Sequence, residues 1–323
     1  MKTFASILLA VGASAIQQND LEFLNYIAQH SKSYDTIEQY NYRLSNWITM
    51  NEFIVEESLK GLNYKVGHNK FSDWSRAEYV ATLGYIRPQE ATEAQSMEAL
   101  NAAALPAEVN WVTNGAVNPI QDQGQCGSCW SFSSCCAMEG IDQITNGTLR
   151  KFAEQQLVSC VKLCFGCNGG NFNTVFGSYA KKNALYSEDS WPYTATNGEC
   201  TPPSSGVTNF KTSGLITVTV ESELALKTQL ATQPVSIAIQ ADQRVFQAYS
   251  SGVFDDERCG TALDHAVTLV GYGTEGGQDY YLMRNSWGSS WGESGYMKMA
   301  MTGDGPGVCG VQMDPVAPTT TKI

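Results

Sequence analysis

The sequence predicts an α+β fold in which a helical half precedes a β half, with the functional site in the cleft between them. Helical signals dominate to about residue 185 within a helical half of about 115–210, and runs of β-branched and aromatic residues are typical of the β half, about 211–323. The chain has 323 residues, of which 43% are hydrophobic, and this is ample for a packed core and for more than one unit.

In the helical half, the main helix is predicted to begin at Cys129, with Ser128 as its N-cap. The residues that recur at three- and four-residue steps along it are Trp130, Ser133, Ala137, Ile141 and Ile144. Much of the opposite side is covered by Phe132, Cys135, Cys136 and Met138. We therefore expect a helix that is buried nearly all round. Shorter helices are expected over Ala153–Ser159 and Asn171–Asn183.

The β half contains runs that are typical of buried strands. These runs are LITVTV (215–220), VSIAI (235–239), HAVTLVGYG (265–273), YYLMRNS (280–286) and GYMKM (295–299). One helix, over about Ser222–Ala231, interrupts them.

The first fifteen residues are predicted to be a secretory signal peptide that is cleaved near Ala15. They contain a lysine, an apolar run and a small-residue end; the alternative is a buried N-terminal strand. Entry into the secretory pathway permits disulfides and makes Asn146 a candidate glycosylation site. No stretch is long enough to span a bilayer, and the net charge of −12 argues against nucleic-acid or anionic-membrane partners.

Before residue 105, the sequence predicts three segments. Residues from about 19 to 60 are expected to be helical and amphipathic, with Leu21 and Leu24 in the periodic pattern, and Tyr64–Asp73 to form a short strand and turn. Residues 88–104 are rich in Ala, Glu and Gln, which favours an exposed linker that a protease can cut; the alternative is a surface helix.

The chemistry is predicted to centre on Cys129. A cysteine in the first turn of a helix lies near unpaired N–H groups and the positive end of the helix dipole, which favour the reactive thiolate. A thiolate mechanism needs a base, and His265 is the one histidine after residue 105; the alternative is a structural histidine. So few histidines exclude a multi-histidine zinc site, and we expect no metal or organic cofactor.

Two further side chains complete the predicted site. Asn285 can fix the tautomer of His265 through its side-chain oxygen, and Trp287 can shield that hydrogen bond; the alternative for Asn285 is a turn residue. Gln123 offers an amide donor for negative charge on a carbonyl oxygen, and the Cys129 backbone N–H offers a second.

These residues lie in motifs through which the chain resembles the papain-like cysteine proteases, in a layout similar to cathepsin L-type preproenzymes. The motifs are Gln123-x-Gln125-Cys126-Gly127-Ser128-Cys129-Trp130, Cys167-Asn168-Gly169-Gly170, Leu263-Asp264-His265-Ala266-Val267 and Asn285-Ser286-Trp287-Gly288-x-x-Trp291-Gly292-x-x-Gly295-Tyr296. They occur in this order between residue 105 and about 315.

The resemblance implies a two-domain fold over 105–323, in which a helical domain and an antiparallel β-barrel-like domain face each other across the cleft. It implies that peptide bonds are hydrolysed by acyl transfer, with Cys129 as nucleophile, His265 as acid/base, Asn285 as orienting amide and Gln123 as oxyanion donor. It pairs Cys126 with Cys167, Cys160 with Cys200 and Cys259 with Cys309. The spacing from Cys129 to Cys160 leaves no room for the loop that makes some relatives exopeptidases, so we expect an endopeptidase.

The resemblance also implies a substrate pocket. Gly170 would bind the substrate backbone, and the walls of the second subsite would be Phe172, Ala238, Leu263 and Ala266. Asp314 aligns with the end of this pocket, where some relatives carry an acid and accept Arg. We hypothesise that Asp314 admits a basic residue two positions before the cut, beside bulky apolar ones; the alternative is that Asp314 points to solvent.

The segment from 16 to 104 resembles the inhibitory propeptide of the same enzymes, through Gly67-x-Asn69-x-Phe71-x-Asp73. The expected protein is thus a monomeric zymogen that matures by propeptide removal at acidic pH. It would act on protein and peptide substrates in a lysosome-like compartment or after secretion.

Two rival functions remain open at this point. Cys126-Gly-Ser-Cys129 is also a Cys-x-x-Cys motif of thiol–disulfide oxidoreductases, and a 126–129 disulfide would favour that class. The second rival is a catalytically dead family member that acts by binding, although all four candidate catalytic residues are present. Cys135 and Cys136 are expected to be small buried residues, and Cys164 lies in a loop.

Overall fold

The computed structural model describes residues 18–88, 95–96 and 105–322. The predicted signal peptide, and the predicted linker apart from residues 88, 95 and 96, lie outside the described residues. The helices are α1 (18–29), α2 (Ile37–Ser58), α3 (Arg76–Val80), α4 (Cys129–Asn146), α5 (Glu154–Cys160), α6 (Phe172–Thr174), α7 (Ala180–Lys182), α8 (Glu223–Leu230) and α9 (Arg244–Gln247). A π-helical turn, Val175–Tyr179, joins α6 to α7.

The strands are β1 (Tyr64–Val66), β2 (Gln95–Ser96), β3 (Val109–Asn110), β4 (Gly214–Thr217), β5 (Val235–Ile239), β6 (Tyr249–Phe254), β7 (His265–Glu275), β8 (Gln278–Arg284), β9 (Tyr296–Ala300) and β10 (Val316–Thr319). They form one sheet in the order β1-β6-β9-β8-β7-β5-β10-β4-β2, and β3 pairs with β7. The predicted strands correspond to β1, β4, β5, β7, β8 and β9, whereas β6 and β10 carry no recognised signal.

The region from about 19 to 60 is helical, as predicted, but it forms two helices, α1 and α2. The chain turns between α1 and α2, where Ser31 has a positive φ and the Thr36 side chain caps α2 by accepting from Gln39 N–H at 3.1 Å. Leu21 and Leu24 are also 62% and 51% exposed. The turn instead brings the aromatic residues Phe23, Tyr26 and Trp47 into one small core. Aromatic burial therefore decides which helical faces meet.

The main helix of the helical half, α4, is confirmed. Residues 129–140 are buried without a break, and the helix packs against α5, α6 and the strands β5, β7 and β10. Burial ends near Ile144, which is 39% exposed. The helix therefore places its first residue, Cys129, where the helical half meets the sheet.

The sheet places His265 at the same junction. Strand β7 begins at His265 and pairs antiparallel with β5, so that His265 lies opposite Ile239 and Ala266 lies opposite Ala238. Both strands are almost wholly buried, and His265 itself is fully buried. A rigid paired strand therefore holds the imidazole.

The N-terminal segment binds along the β half. Strand β1 extends the sheet through antiparallel pairing with β6, and Asn69 donates its side-chain N–H to the Gln247 carbonyl at 2.7 Å. Arg258 forms an ion pair with the buried Glu57 at 2.8 Å. After α3, the chain enters the cleft between the two halves. No helix of the described residues is long and apolar enough to cross a membrane.

Candidate active site

Cys129 is the first residue of α4 and is fully buried. Its Sγ accepts a hydrogen bond from Ala266 N–H at 3.4 Å, so that the thiol lies beside the residue that follows His265. A second N–H, from Gly84, donates to Sγ at 3.3 Å. Ser128 is the N-cap residue of α4, as predicted, but its side chain makes no cap hydrogen bond, and its hydroxyl oxygen lies 2.6 Å from the Tyr193 hydroxyl oxygen instead.

The charge expected for Cys129 also differs in this structure. Burial raises the pKa of the thiol to about 11, although the N–H groups of Ala266 and Gly84 act in the opposite direction. In this structure, in which Gly84 lies against the sulfur, desolvation of the thiolate thus raises the pKa by more than the helix N-terminus lowers it. In this closed form Cys129 is a neutral thiol at physiological pH.

His265 and Asn285 are paired as the sequence predicts. The His265 Nε2 lies 2.9 Å from Asn285 Oδ1, which also accepts the Ser286 N–H at 2.8 Å. Because an amide oxygen can only accept, Nε2 is the donor, and the neutral imidazole therefore carries its lone pair on Nδ1. Among the described residues, Nδ1 has no hydrogen-bond partner.

The surroundings of this pair are apolar. Trp287 is fully buried, and its ring stacks on the imidazole with centroids 4.6 Å apart and an interplanar angle of 23°. Burial lowers the pKa of His265 to about 4, although the hydrogen bond with Asn285 by itself raises it. The closed site therefore holds a neutral imidazole and a neutral thiol.

Gln123 lies on the other side of Cys129 and is fully buried. Its Nε2 donates to the carbonyl oxygens of Cys126 and Thr82, each at 2.8 Å. Its Oε1 accepts from Ser286 Oγ at 2.6 Å, which fixes which end of the amide faces the cleft. Thr82 belongs to the N-terminal segment, so the candidate oxyanion donor is occupied by that segment's backbone.

Residues 82–86 run through the whole site. Gly170 N–H donates to the Gly84 carbonyl, and Ile86 N–H donates to the Gly170 carbonyl, each at 2.9 Å, in a parallel β-bridge centred on Tyr85. Tyr85 N–H also donates to the Asp264 carbonyl at 2.9 Å. The glycine predicted to bind substrate backbone thus has both of its backbone groups occupied here.

Gly84 permits this close approach. A Cβ on this residue would lie 1.8 Å from the Gly127 carbonyl oxygen, so only glycine fits between the thiol and that loop. Residues 82–86 carry no motif that predicts this role. The available signal was a glycine within an apolar and aromatic run, Leu83-Gly84-Tyr85-Ile86, shortly before the predicted linker.

The Tyr85 side chain lies among residues that are predicted to form the second subsite. Its ring stacks on Phe172 with centroids 5.3 Å apart, and its hydroxyl donates to Asp314. Ala238 and Ala266 belong to the same apolar cluster, and Leu263 packs against it. Asp314 is 9% exposed, and burial raises the pKa of its carboxyl. Tyr85 therefore contacts Phe172 and Asp314 directly and belongs to the same apolar cluster as Ala238 and Ala266.

The disulfides join Cys126 to Cys167, Cys160 to Cys200 and Cys259 to Cys309, which are the pairs that the resemblance implies. Cys129 is free, as are Cys135, Cys136 and Cys164, and all four are buried. Because Cys126 is bonded to Cys167, the 126–129 disulfide of the oxidoreductase rival is absent from this structure. The described residues contain no cluster of His, Cys, Asp and Glu that could hold a metal ion.

Comparison with known families agrees with this geometry. The profile described as "Papain family cysteine protease" matches residues 105–319, and the profile described as "Cathepsin propeptide inhibitor domain (I29)" matches residues 23–79. The chain belongs to the papain family of cysteine proteases, and it carries a propeptide inhibitor domain as a zymogen does.

Relatives in plants and solved proforms are similar over most of the chain. Cysteine protease XCP2 of Arabidopsis thaliana is 38% identical over 93% of this chain and 86% of its own length. Cysteine proteinase RD21A of the same plant is 41% identical over 82% of this chain, which spans only 58% of RD21A. The relatives' names and the family description support a cysteine endopeptidase.

Two solved structures show the same fold with a propeptide. The digestive procathepsin L2 of Tenebrio molitor larval midgut has a TM-score of 0.86 and 34% identity, and covers 93% of this chain and 99% of its own. The recombinant stem bromelain precursor has a TM-score of 0.85 and 30% identity, and covers 94% of this chain and 99% of its own. These likenesses confirm the papain-like fold with an N-terminal propeptide.

Proposed function

We propose that this chain is the zymogen of a cysteine endopeptidase in which Cys129, His265, Asn285 and Gln123 perform the chemistry. The Cys129 thiol passes its proton to His265 Nδ1, and the thiolate attacks the carbonyl carbon of the scissile peptide bond. The resulting oxyanion receives hydrogen bonds from Gln123 Nε2 and the Cys129 N–H. His265 then protonates the leaving amine, and water, deprotonated by His265, hydrolyses the thioester to regenerate the thiol.

One observation carries this proposal. The segment 82–86 occupies the nucleophile and the oxyanion donor together, with Gly84 N–H 3.3 Å from Cys129 Sγ and the Thr82 carbonyl oxygen 2.8 Å from Gln123 Nε2. A peptide carbonyl on the oxyanion donor beside a thiol is the placement that peptide hydrolysis requires. A segment that takes these positions without offering a carbonyl carbon to the sulfur acts as an inhibitor.

The protonation states of the site support silencing by the segment. Burial favours the neutral thiol and the neutral imidazole while residues 82–86 cover the cleft. Departure of the segment admits water, which lowers the desolvation penalty on both charged forms. The proton can then move from sulfur to the unpartnered Nδ1 lone pair, and Asn285 holds the imidazolium through Nε2.

Maturation follows from the same arrangement. We propose residues 1–15 as signal peptide, 16–104 as inhibitory propeptide and 105–323 as catalytic domain, with the cut near residue 104 made at acidic pH. The mature enzyme would be a monomer that cleaves proteins and peptides in a lysosome-like compartment or after secretion. A signal peptide and ion pairs across the propeptide interface, such as Glu57–Arg258, support an acidic secretory destination.

The test is covalent labelling followed by mass spectrometry. The purified proprotein is incubated at mildly acidic pH with a thiol-directed epoxide, beside a Cys129→Ala control and a Cys164→Ala control that keeps the nucleophile. We expect label on Cys129 alone, together with loss of residues before about 105, in the parent and in Cys164→Ala. An unlabelled protein with Cys129 bonded to Cys126 would refute the protease and favour the oxidoreductase.

Asp314 is proposed to set part of the specificity. Its carboxyl accepts the Tyr85 hydroxyl at the predicted second subsite, where a basic or hydroxyl-bearing side chain would find an acceptor. We expect the mature enzyme to cleave substrates with Arg two positions before the cut, beside bulky apolar residues. Asp314→Ala should lower kcat/KM for the Arg substrate at least tenfold and change the Leu substrate less than twofold; equal rates on the Arg substrate would refute this role.

A further inference from the structure

The hydroxyl of Tyr193 joins two parts of the active site. It donates to the Gln123 carbonyl oxygen at 2.8 Å, and Ser128 Oγ lies 2.6 Å from the same hydroxyl oxygen. A phenol has one proton, which here goes to the carbonyl, so the Ser128 hydroxyl is the donor in the second bond. The Tyr193 side chain thus connects Gln123, which carries the candidate oxyanion donor, to Ser128, which precedes the nucleophile.

Tyr193 is itself held firmly. Its ring packs edge-on against Phe132 of α4, with centroids 4.8 Å apart, and its backbone N–H donates to Glu188 Oε1 at 2.8 Å. The next residue, Thr194, donates its N–H to Gln155 in α5 at 2.9 Å. Burial raises the pKa of the phenol, so that it remains a donor at acidic and neutral pH.

The contacts of Gln123 show what this bridge does. Ser286, which follows β8, accepts from the Gln123 N–H at 2.8 Å and donates its hydroxyl to Oε1 at 2.6 Å. Tyr193, which packs on the helical half, binds the Gln123 carbonyl. Gln123 is therefore held from both sides of the cleft: the β half sets how its amide is rotated, and Tyr193 sets where its peptide unit lies relative to α4.

We propose that Tyr193 is a positioning residue, which acts through the Gln123 carbonyl to keep the Gln123 amide at the place where the oxyanion forms. The inference rests on the proposed function. The hydroxyl touches neither substrate nor the reacting atoms, so its loss should leave substrate binding intact. It should weaken the step in which charge develops, because a donor displaced by a fraction of an ångström stabilises an oxyanion less.

The test is a double-mutant cycle on the matured enzyme, with a fluorogenic substrate that carries Leu two positions before the cut. Tyr193→Phe keeps the ring against Phe132 and should lower kcat about tenfold with KM within twofold, and weaken a peptide aldehyde inhibitor in proportion. In a Gln123→Ala background the same substitution should change kcat less than twofold, because the two residues act as one unit.

Two further variants keep the test decisive. Tyr186→Phe removes a phenol hydroxyl from the same half of the molecule, away from the cleft, and should leave kcat unchanged. Ser128→Ala loosens the other end of the bridge, and should lower kcat less than Tyr193→Phe does, again only when Gln123 is present. If the Tyr193→Phe variant fails to mature, Ser128→Ala takes its place in the double-mutant cycle.

The outcomes separate the two proposals. An unchanged kcat in Tyr193→Phe, or an equal loss with and without Gln123, would overturn the positioning role while leaving the protease intact. A parent protein without peptidase activity and without a Cys129 that reacts with the epoxide would refute the proposed function instead.

Discussion

Gly84→Ala should release the active site from its own propeptide. The added Cβ would lie 1.8 Å from the Gly127 carbonyl oxygen and 2.4 Å from its carbon, and both atoms belong to backbone. The Cys126–Cys167 disulfide and α4 flank this loop, so we expect the propeptide to move rather than the loop. A shift of more than an ångström lengthens the three backbone hydrogen bonds that Gly84, Tyr85 and Ile86 make at 2.9 Å.

The size of the effect follows from those hydrogen bonds. Each contributes about 1 kcal/mol net, so losing two or three weakens the closed form by about 2–3 kcal/mol. This corresponds to an open fraction that is about 30- to 150-fold larger. Because Cys129 is buried and its pKa is raised to about 11 in the closed form, labelling requires opening, and the rate at which Cys129 reacts with the epoxide should rise by the same factor.

The assay is the rate at which the epoxide labels Cys129 in the full-length proform at neutral pH, followed by intact mass. The matched control is Gly67→Ala, also in the propeptide, where an added Cβ would make only ordinary contact with Ser250 at 3.4 Å. Its labelling rate should stay within twofold of the parent. If Gly84→Ala is labelled at the parental rate, or if Gly67→Ala shows an equal rise in labelling rate, Gly84 is not the residue that allows the propeptide to cover Cys129.

Two other predictions concern histidines. Burial lowers the pKa of His68, which stacks on Trp47 in the propeptide core, to about 4 from an ordinary value of 6.5. The unfolded propeptide therefore binds the proton more readily, so this contribution to stability is complete above about pH 6.5 and is lost as the pH falls towards 4, by up to about 3 kcal/mol. His68→Phe should shift propeptide release to lower pH in an acid-titration assay of labelling, and an unshifted midpoint would contradict this. Asn285→Ala should lower kcat about 10- to 100-fold with little change in KM, since His265 loses the acceptor that fixes its tautomer; activity equal to the parent would remove Asn285 from the mechanism.

Features that depend on near neighbours in the chain could be predicted from the sequence. The helix that begins at Cys129 follows from the periodicity of its own residues, and β7 follows from an apolar run that starts at His265. His265 could be selected as the base because the chain offers no other histidine after residue 105. The two-domain fold then followed from the order of helical and strand signals and from the family motifs.

Only the tertiary structure decided which distant residues meet. Periodicity suggested Leu21 and Leu24 for the inner face of α1, but the aromatic partners on α2 bury Phe23 and Tyr26 instead. Local sequence likewise indicated a thiolate at Cys129, and burial of the sulfur reverses this in the closed form by raising the pKa of the thiol. The residue spacing within one segment predicts neither the buried face of α1 nor the protonation of Cys129, because both depend on which other segment packs there.

The bridge from Ser128 through Tyr193 to Gln123 illustrates the same limit. Tyr193 lies 70 residues after Gln123, in a loop without periodicity or a recognised motif. What the sequence by itself determined was the set of reactive groups and the elements that carry them. The tertiary structure decided their protonation, their exact partners and their occlusion, since hydrogen bonding and desolvation depend on distances of a few ångströms between segments far apart in the chain.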